Sequence, residues 1–419
     1  MTDPVLWPRE DHTRAKHEVL RRYLSGWIPV MGQQSQSLCA AGRIDNPRLL
    51  LVDGFAGPGR YTEGEAGSPL IMLDLLASHT VLERIPDVRF FCLFIEQDPR
   101  RVAYLKEEVA NLTLPPSVEV IIKEGKFDEI FRGLVDGITD GKSLIPTFAF
   151  IDPFGYTGAS MSLTSRFLDF KRSEALFFLP LSFINRFVGR DGQATALNAL
   201  FDTEAWQELV PLSGDGRKLA LLKLFEAQLR AQGQVRHVIS FELRTRDGND
   251  YRLIFATGHP TGLKLMKEAM WSVDPYEGTR YIGTGSGQEV LFQPQPDTSP
   301  LLEALRNIFG NRWFSVAEAV QALDTDALPW CADKHLKKLT LVPAEKDNLI
   351  EVCRPSGRRA GTFTEDVRVR FKGTVTVRTV HLITQPGSFS PGCATGPNRL
   401  RGNPSRAHSE PTRVASDRW

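Results

Sequence analysis

The chain has 419 residues, enough for a sizeable buried core and, on length alone, for roughly two to three domains. Its 42% hydrophobic and 24% charged residues are the balance of a globular protein, and a net charge of +1 excludes any global field toward nucleic acid or an anionic surface, so such binding needs a local patch. Five scattered cysteines (Cys39, Cys92, Cys331, Cys353 and Cys393), with no C-x-x-C pair, argue against a disulfide framework and against a zinc site.

The first ten residues lack the apolar stretch of a signal peptide, and no later run reaches the length of a membrane span, so a cytoplasmic protein is expected. Residues 12–31 carry Val19, Leu20, Tyr23, Leu24 and Trp27 at helical spacing, and a polar stretch, 33–46, follows. Residues 49–52 form a short apolar strand. Ser68 then reads as a helix N-cap, with Pro69 at the first helical position of a helix over 70–78. Further strands are expected at 90–95, 118–122, 148–151, 175–181 and 251–256, with a helix at 99–110 capped by Asp98. Apolar strands alternating with amphipathic helices predict an α/β fold: a Rossmann-like parallel sheet with helices on both faces.

The chemistry gathers at strand ends. The first strand runs into Asp53-Gly54-Phe55-Ala56-Gly57-Pro58-Gly59, a glycine turn that permits close approach of a ligand where open parallel sheets bind one. Taken alone, such a turn is equally an ordinary tight turn. The second strand ends in Glu96, placed to accept the ribose hydroxyls of a nucleoside; the alternative is a solvated surface acid. The turn 123–128 stands where an adenine would face, but its residues are not diagnostic. The fourth strand ends in Ile151-Asp152-Pro153-Phe154-Gly155-Tyr156, which resembles the D-P-P-Y/F motif of amino-group methyltransferases. That motif needs an acceptor aimed at an amine and a flat ring for a base drawn out of its stack. Here Phe154 replaces the second proline and Gly155 the aromatic, leaving Tyr156 to supply the ring. Asp152 either holds a substrate amine or caps its own turn. Gly141-Lys142-Ser143 ends like a phosphate loop, but Gly137 is one residue too near and no strand precedes it, so a surface turn is expected.

The string 52–61, Gly67-Ser68-Pro69-Leu70-Ile71, Phe94-Ile95-Glu96, the Asp152 motif, Phe183-Ile184-Asn185-Arg186-Phe187 and Met266-Lys267-Glu268-Ala269-Met270-Trp271 together resemble the three-Cys-motif partner family, TcmP. The resemblance runs from about residue 12 to the end of the C-terminal module. It implies a class I methyltransferase fold, S-adenosylmethionine as cofactor without a metal, and a phage-type partner that itself carries the three cysteines. It brings no established reaction.

Residues 301–373 read as three helices and two strands, a winged-helix-like domain, opened at Ser315-Val316-Ala317-Glu318 by a capping box. Lys334, His335, Lys337 and Lys338 cluster on its third helix, and Arg354, Arg358 and Arg359 lie between its strands. They are either a phosphate-contacting surface for DNA or RNA or the solvated charges of a protein-docking domain. The expected organisation is an N-terminal helical segment (1–47), a methyltransferase-type domain (48–287), a linker (288–300), the winged-helix-like domain (301–373) and a disordered tail (379–419). Two functions compete: methyl transfer, to a nucleic-acid amino group, and a catalytically inactive partner that keeps the fold and docks a second protein. A DNA-binding regulator is a weaker third.

Overall fold

The computed structural model describes residues 4–138, 144–153, 155–231, 234–282 and 295–373. Phe154, the 141–143 turn, the expected tail, part of the linker and Cys393 lie outside the described residues.

Eight strands form one sheet: β1 (Arg48–Asp53), β2 (Arg89–Glu96), β3 (Val118–Glu124), β4 (Thr147–Ile151), β5 (Ser173–Leu179), β6 (His237–Arg244), β7 (Asp250–Thr257) and β8 (Arg280–Ile282). Their order is β3-β2-β1-β4-β5-β7-β6-β8. β1 to β5 pair in parallel, β7 runs antiparallel between β5 and β6, and β8 joins β6 in parallel. The chain winds outward from β1 to one side and from β4 to the other, so β1 and β4 flank the topological switch point, where an open α/β sheet offers its crevice.

Side chains alternate between two cores. Leu49, Leu51, Phe148 and Phe150 face one, and Leu50, Val52, Ala149 and Ile151 the other. The first core is closed by α1 (Asp11–Ala40), α2 (Ser68–Ser78) and α9 (Pro260–Val273), with Leu105 of α3 (Pro99–Ala110). The second is closed by α4 (Phe127–Asp136), α5 (Met161–Leu168), α6 (Leu181–Phe187), α7 (Ala194–Phe201) and α8 (Gly214–Arg230).

Several expectations are corrected. α1 continues through the polar stretch to Ala40, passing Pro29. Pro29 has no N–H for the Ser25 carbonyl four residues back, and His79 Nε2 meets that carbonyl instead at 2.9 Å. The cap of α2 is Gly67, with Ser68 already helical. Asp98 does cap α3, its Oδ1 accepting from the Arg100 amide at 2.9 Å. β6 and β8 were not expected.

A second sheet, β10-β11-β9, belongs to the C-terminal module. The module comprises α10 (Ser299–Phe309), β9 (Phe314–Ser315), α11 (Val316–Leu323), a π-helical segment (Ala332–Leu341), α12 (Val342–Lys346), β10 (Ile350–Cys353) and β11 (Arg368–Phe371). Both halves of the expected capping box are present at Ser315 and Glu318. The module is fastened to α9. Lys267 Nζ donates to the Leu323 and Thr325 carbonyls at 2.8 and 2.6 Å, and Trp271 Nε1 donates to Pro329 O at 2.7 Å. Burial pushes the Lys267 ammonium down to about 8. Among the described residues no helix is long and apolar enough to cross a membrane.

Candidate functional site

At the switch point the chain leaving β1 stays tied to both neighbouring strands: the Gly54 amide donates to Phe150 O and the Ala56 amide to Ile95 O, each at 2.9 Å. Gly57 and Gly59 then take φ of 61° and 83°, a left-handed region in which a side chain is strained. At Gly54 the limit is space, since an added Cβ would lie 2.6 Å from the Phe127 ring. The glycine turn is therefore required by backbone shape and by packing.

Glu96 is 4% exposed, so it is no solvated surface acid. Its Oε2 accepts from the Gly57 amide at 2.9 Å and its Oε1 from the Asp98 amide at 2.8 Å. The carboxylate locks the glycine turn to the end of β2. Asp53 is fully buried; its Oδ1 accepts from the Phe55 amide at 3.1 Å, and its Oδ2 has no hydrogen-bond partner among the described residues. Burial lifts its carboxyl to about 7, opposed by the nearby Ser68 hydroxyl, the Phe55 amide and Lys16, and reinforced by Asp152.

Beside the turn lies a cavity of about 460 Å³. Phe55, Ala56, Gly57, Pro58 and Gly59 line one side, with Ser68. The other side comes from the start of the chain, Trp7 to Lys16, and from Asp152, Phe178, Phe183 and Tyr251. Asp53 and Glu96 are not among its lining residues; they stand within the turn that shapes it.

Asp152 does not face the cavity alone. Its Oδ2 pairs with Lys16 Nζ from α1, and Lys16 is 4% exposed. The ammonium also lies 4.4 Å from the Phe178 ring centroid. Asp152 Oδ1 makes no hydrogen bond among the described residues. Sequence reasoning missed Lys16, which looked like one polar residue of an amphipathic helix. His12, one helical turn earlier, stacks on Tyr251 at 4.4 Å and 6°, and Tyr251 stacks on Phe178 at 5.1 Å and 16°. Burial, then the neighbouring Lys16, lowers the His12 imidazole to about 4, so at neutral pH it is an uncharged ring. Tyr61 is held well above the ordinary phenol range by burial and by Asp152 and Asp53, which keeps it a hydrogen-bond donor.

Tyr156, the expected stacking ring, does not line this cavity. It is 5% exposed, packs against Phe183 and Phe187 at 5.9 Å each, and bonds Gln193 through its hydroxyl. Gly155, at φ 96°, turns the chain so that Tyr156 enters the second core. The most exposed ring at the rim is instead Phe183, at 38%. In the 123–128 turn, Gly125 donates to Glu96 O at 2.9 Å and Asp128 accepts from the Ser160 amide at 3.1 Å.

In the C-terminal module Lys334 and Lys338 are exposed and Lys337 is half-buried. His335 does not join them. It packs on Trp271 at 4.1 Å and accepts from the Cys331 amide at 3.0 Å, and burial lowers its ring to about 4. Arg354 is committed to Glu345 in a two-pronged pair, at 2.6 and 2.5 Å. Arg358 and Arg359 are exposed, Arg358 lying 3.9 Å from Asp366.

No family model matches the chain, and no curated protein matches it. Among solved structures it is similar to human methyltransferase-like protein 13 in complex with SAH: 14% identity, 68% of this chain and 98% of that one, TM-score 0.31. It is also similar to an O-methyltransferase from Bacillus cereus in complex with SAH: 13% identity, 60% and 92% of the two chains, TM-score 0.29. At these scores the likeness says nothing of reaction or substrate.

Proposed function

We propose that the chain is an S-adenosylmethionine-dependent methyltransferase-like protein that holds the donor at the glycine turn. The observation that carries this is the turn itself: Glu96 locks Gly57 to the end of β2, and a buried Asp53 oxygen is left without a partner at the switch point. The reversed strand β7 between β5 and β6 also supports it, because that insertion departs from the order of dinucleotide-binding sheets and suits the methyltransferase type that the sequence resembles. The residues fit the group: Gly57 and Gly59 line the cavity, and Asp53, buried behind the turn, would direct negative charge toward the donor's ammonium. Glu96 keeps a second lone pair on each oxygen for ribose hydroxyls. When bound, S-adenosylmethionine supplies an electrophilic methyl carried on a sulfonium.

The acceptor then belongs in the cavity beside Asp152. Oδ1 is the free acceptor for an amine proton, Lys16 fixes the carboxylate through Oδ2, and Phe178, Tyr251 and Phe183 offer flat apolar surface. This suits a nucleic-acid base bearing an amino group, with the exposed Lys334, Lys338, Arg358 and Arg359 and the half-buried Lys337 of a winged-helix module on phosphates. The TcmP assignment, and with it a phage-type three-Cys-motif partner, rests on the sequence strings alone.

One observation favours the second reading, a SAM-fold docking partner without transfer: Asp152 already has an internal amine, Lys16, and Tyr156 is turned into the core. Transfer of labelled methyl to bulk DNA and RNA separates the two. The enzyme reading expects transfer by the wild type and its loss in Asp152→Asn, which keeps an oxygen for Lys16. Equal transfer by a well-folded Asp152→Asn protein contradicts the role given to Asp152.

A further inference from the structure

A larger groove, of about 530 Å³, opens at the opposite edge of the same sheet, where β4, β5 and β6 begin and β7 ends. Three cations border it: Lys171, Arg172 and Arg236. None of the three forms an ion pair among the described residues. The backbones of Arg172 and Arg236 are pinned to the sheet edge. The Arg172 carbonyl accepts from the Thr147 amide, and the Arg236 amide donates to Thr257 O, both at 3.0 Å. The cations are thus presented from fixed points, unlike charges on a loose loop.

The wall between them holds a buried hydroxyl: Ser173 is 4% exposed and its Oγ has no hydrogen-bond partner among the described residues. The first turn of α9 enters the groove with His259, Thr261 and Gly262, bringing the positive end of a helix dipole. Gly262 is needed for the close fit, because an added Cβ would lie 2.2 Å from Glu174 Oε1. Among the described residues Glu174 is the one acid lining the groove. It is buried, both its oxygens are taken by hydroxyls (Oε2 by Tyr23 at 2.5 Å, Oε1 by Thr257 at 2.5 Å), and burial raises its carboxyl above the usual range, which weakens its opposition to an anion. The facing wall carries Val30 and Met31 of α1 and Phe170 of the loop before β5, and Leu265 of α9 adds to the apolar lining.

We propose that this groove is a second ligand site that binds phosphate groups, with the apolar wall seating the body of the molecule that carries them. Three cations without ion pairs among the described residues, around one buried and hydrogen-bonded acid, cost the fold electrostatic repulsion, and a bound polyanion removes it. The phosphate comes either from a small phosphorylated ligand or from a nucleic-acid backbone; the chemistry of capture is the same. The site lies across the sheet from the donor cavity and does not depend on methyl transfer.

Two probes separate the sources: inorganic pyrophosphate, titrated into the full chain by calorimetry, and a labelled oligothymidylate followed by anisotropy. Two double variants remove charge. Arg172→Gly with Arg236→Gln also relieves a non-glycine φ of 65° at position 172. Lys171→Gln with Arg236→Gln changes only exposed side chains. The expected result is binding of at least one probe, weakened about tenfold or more in both variants while S-adenosylhomocysteine binding is unchanged. Pyrophosphate binding alone assigns a small phosphorylated ligand; oligothymidylate binding alone assigns a backbone. The proposal is overturned if neither probe binds at millimolar concentration, or if a well-folded double variant binds as the wild type does.

Discussion

The carboxyl edge of the sheet is made in two different ways. Around β1 and β2, the acids are answered by the turns next to them: Asp53 by the Phe55 amide, Glu96 by the amides of Gly57 and Asp98. At β4, Asp152 is answered by Lys16, 136 residues away in sequence, on a helix that must first dock on the sheet. The first region is assembled locally from backbone donors. The second exists only when α1 is in place. A turn of the first kind tolerates changes elsewhere in the molecule, whereas the Asp152 side of the cavity is coupled to global stability.

The largest effect that would break this comparison lies at Lys16. Lys16→Ala leaves Asp152 without its buried cation and is expected to lower stability by about 3 kcal/mol, within the range for breaking a buried pair. Urea denaturation measures it. In a double-mutant cycle with Asp152→Asn the losses should be strongly non-additive. Additive losses would show that the pair carries no coupling and that the two regions are not so different.

Glu96 comes next. Glu96→Ala removes acceptors for two amides and should weaken S-adenosylhomocysteine binding by roughly 1.5–3 kcal/mol, the worth of a charged hydrogen bond. Global stability should fall less than at Lys16, because only the buried Gly57 amide loses its partner away from water, the Asp98 amide being part-buried, and no charge is stranded. A stability loss equal to that of Lys16→Ala would erase the contrast.

Asp53 sharpens it through pH. Its folded carboxyl titrates at about 7, above its ordinary value, so the folded state holds the proton more tightly than the unfolded chain. That contribution to stability is present at acid pH and is lost as pH rises through about 7. Ligand binding runs the other way. The ammonium of the donor prefers the ionised carboxylate, so affinity should rise about tenfold from pH 6 to pH 8. Asp53→Asn should flatten both profiles, and a pH-dependent affinity that survives in it would assign the titration elsewhere.

The smallest effect is expected at Arg358 and Arg359. The double alanine variant should weaken binding to all DNA or RNA sequences by a similar few-fold and lower the salt slope by about 2 or less, since Asp366 already offsets Arg358. An unchanged slope favours protein docking by this module.

The parts of this molecule legible in its sequence are the local ones. Strands β1 to β5 and β7 are short apolar runs, the α3 cap and the Ser315 box are signals of three and four residues, and the glycine turn names itself by its spacing. In β6, Ile239, Phe241 and Leu243 alternate onto the first core and Val238 faces the second, but the intervening Glu242 and Arg244 hid the strand. The extension of α1 past Pro29 was illegible because it needs the His79 ring from another element. The Lys16–Asp152 pair was illegible for the same reason, and so was the inward turn of Tyr156, which depends on the φ of Gly155 and on the rings of Phe183 and Phe187. Residue identity at a strand end suggests a chemistry; which neighbour satisfies it is settled by helices that pack from far away.

The central claim is that the glycine turn is a donor site, and calorimetric titration of the full chain with S-adenosylhomocysteine tests it most directly. The account predicts one site per chain that weakens in Glu96→Ala and keeps its affinity when Arg172 and Arg236 are substituted across the sheet. No heat of binding at millimolar ligand in folded wild-type protein, or binding indifferent to Glu96→Ala, would contradict it.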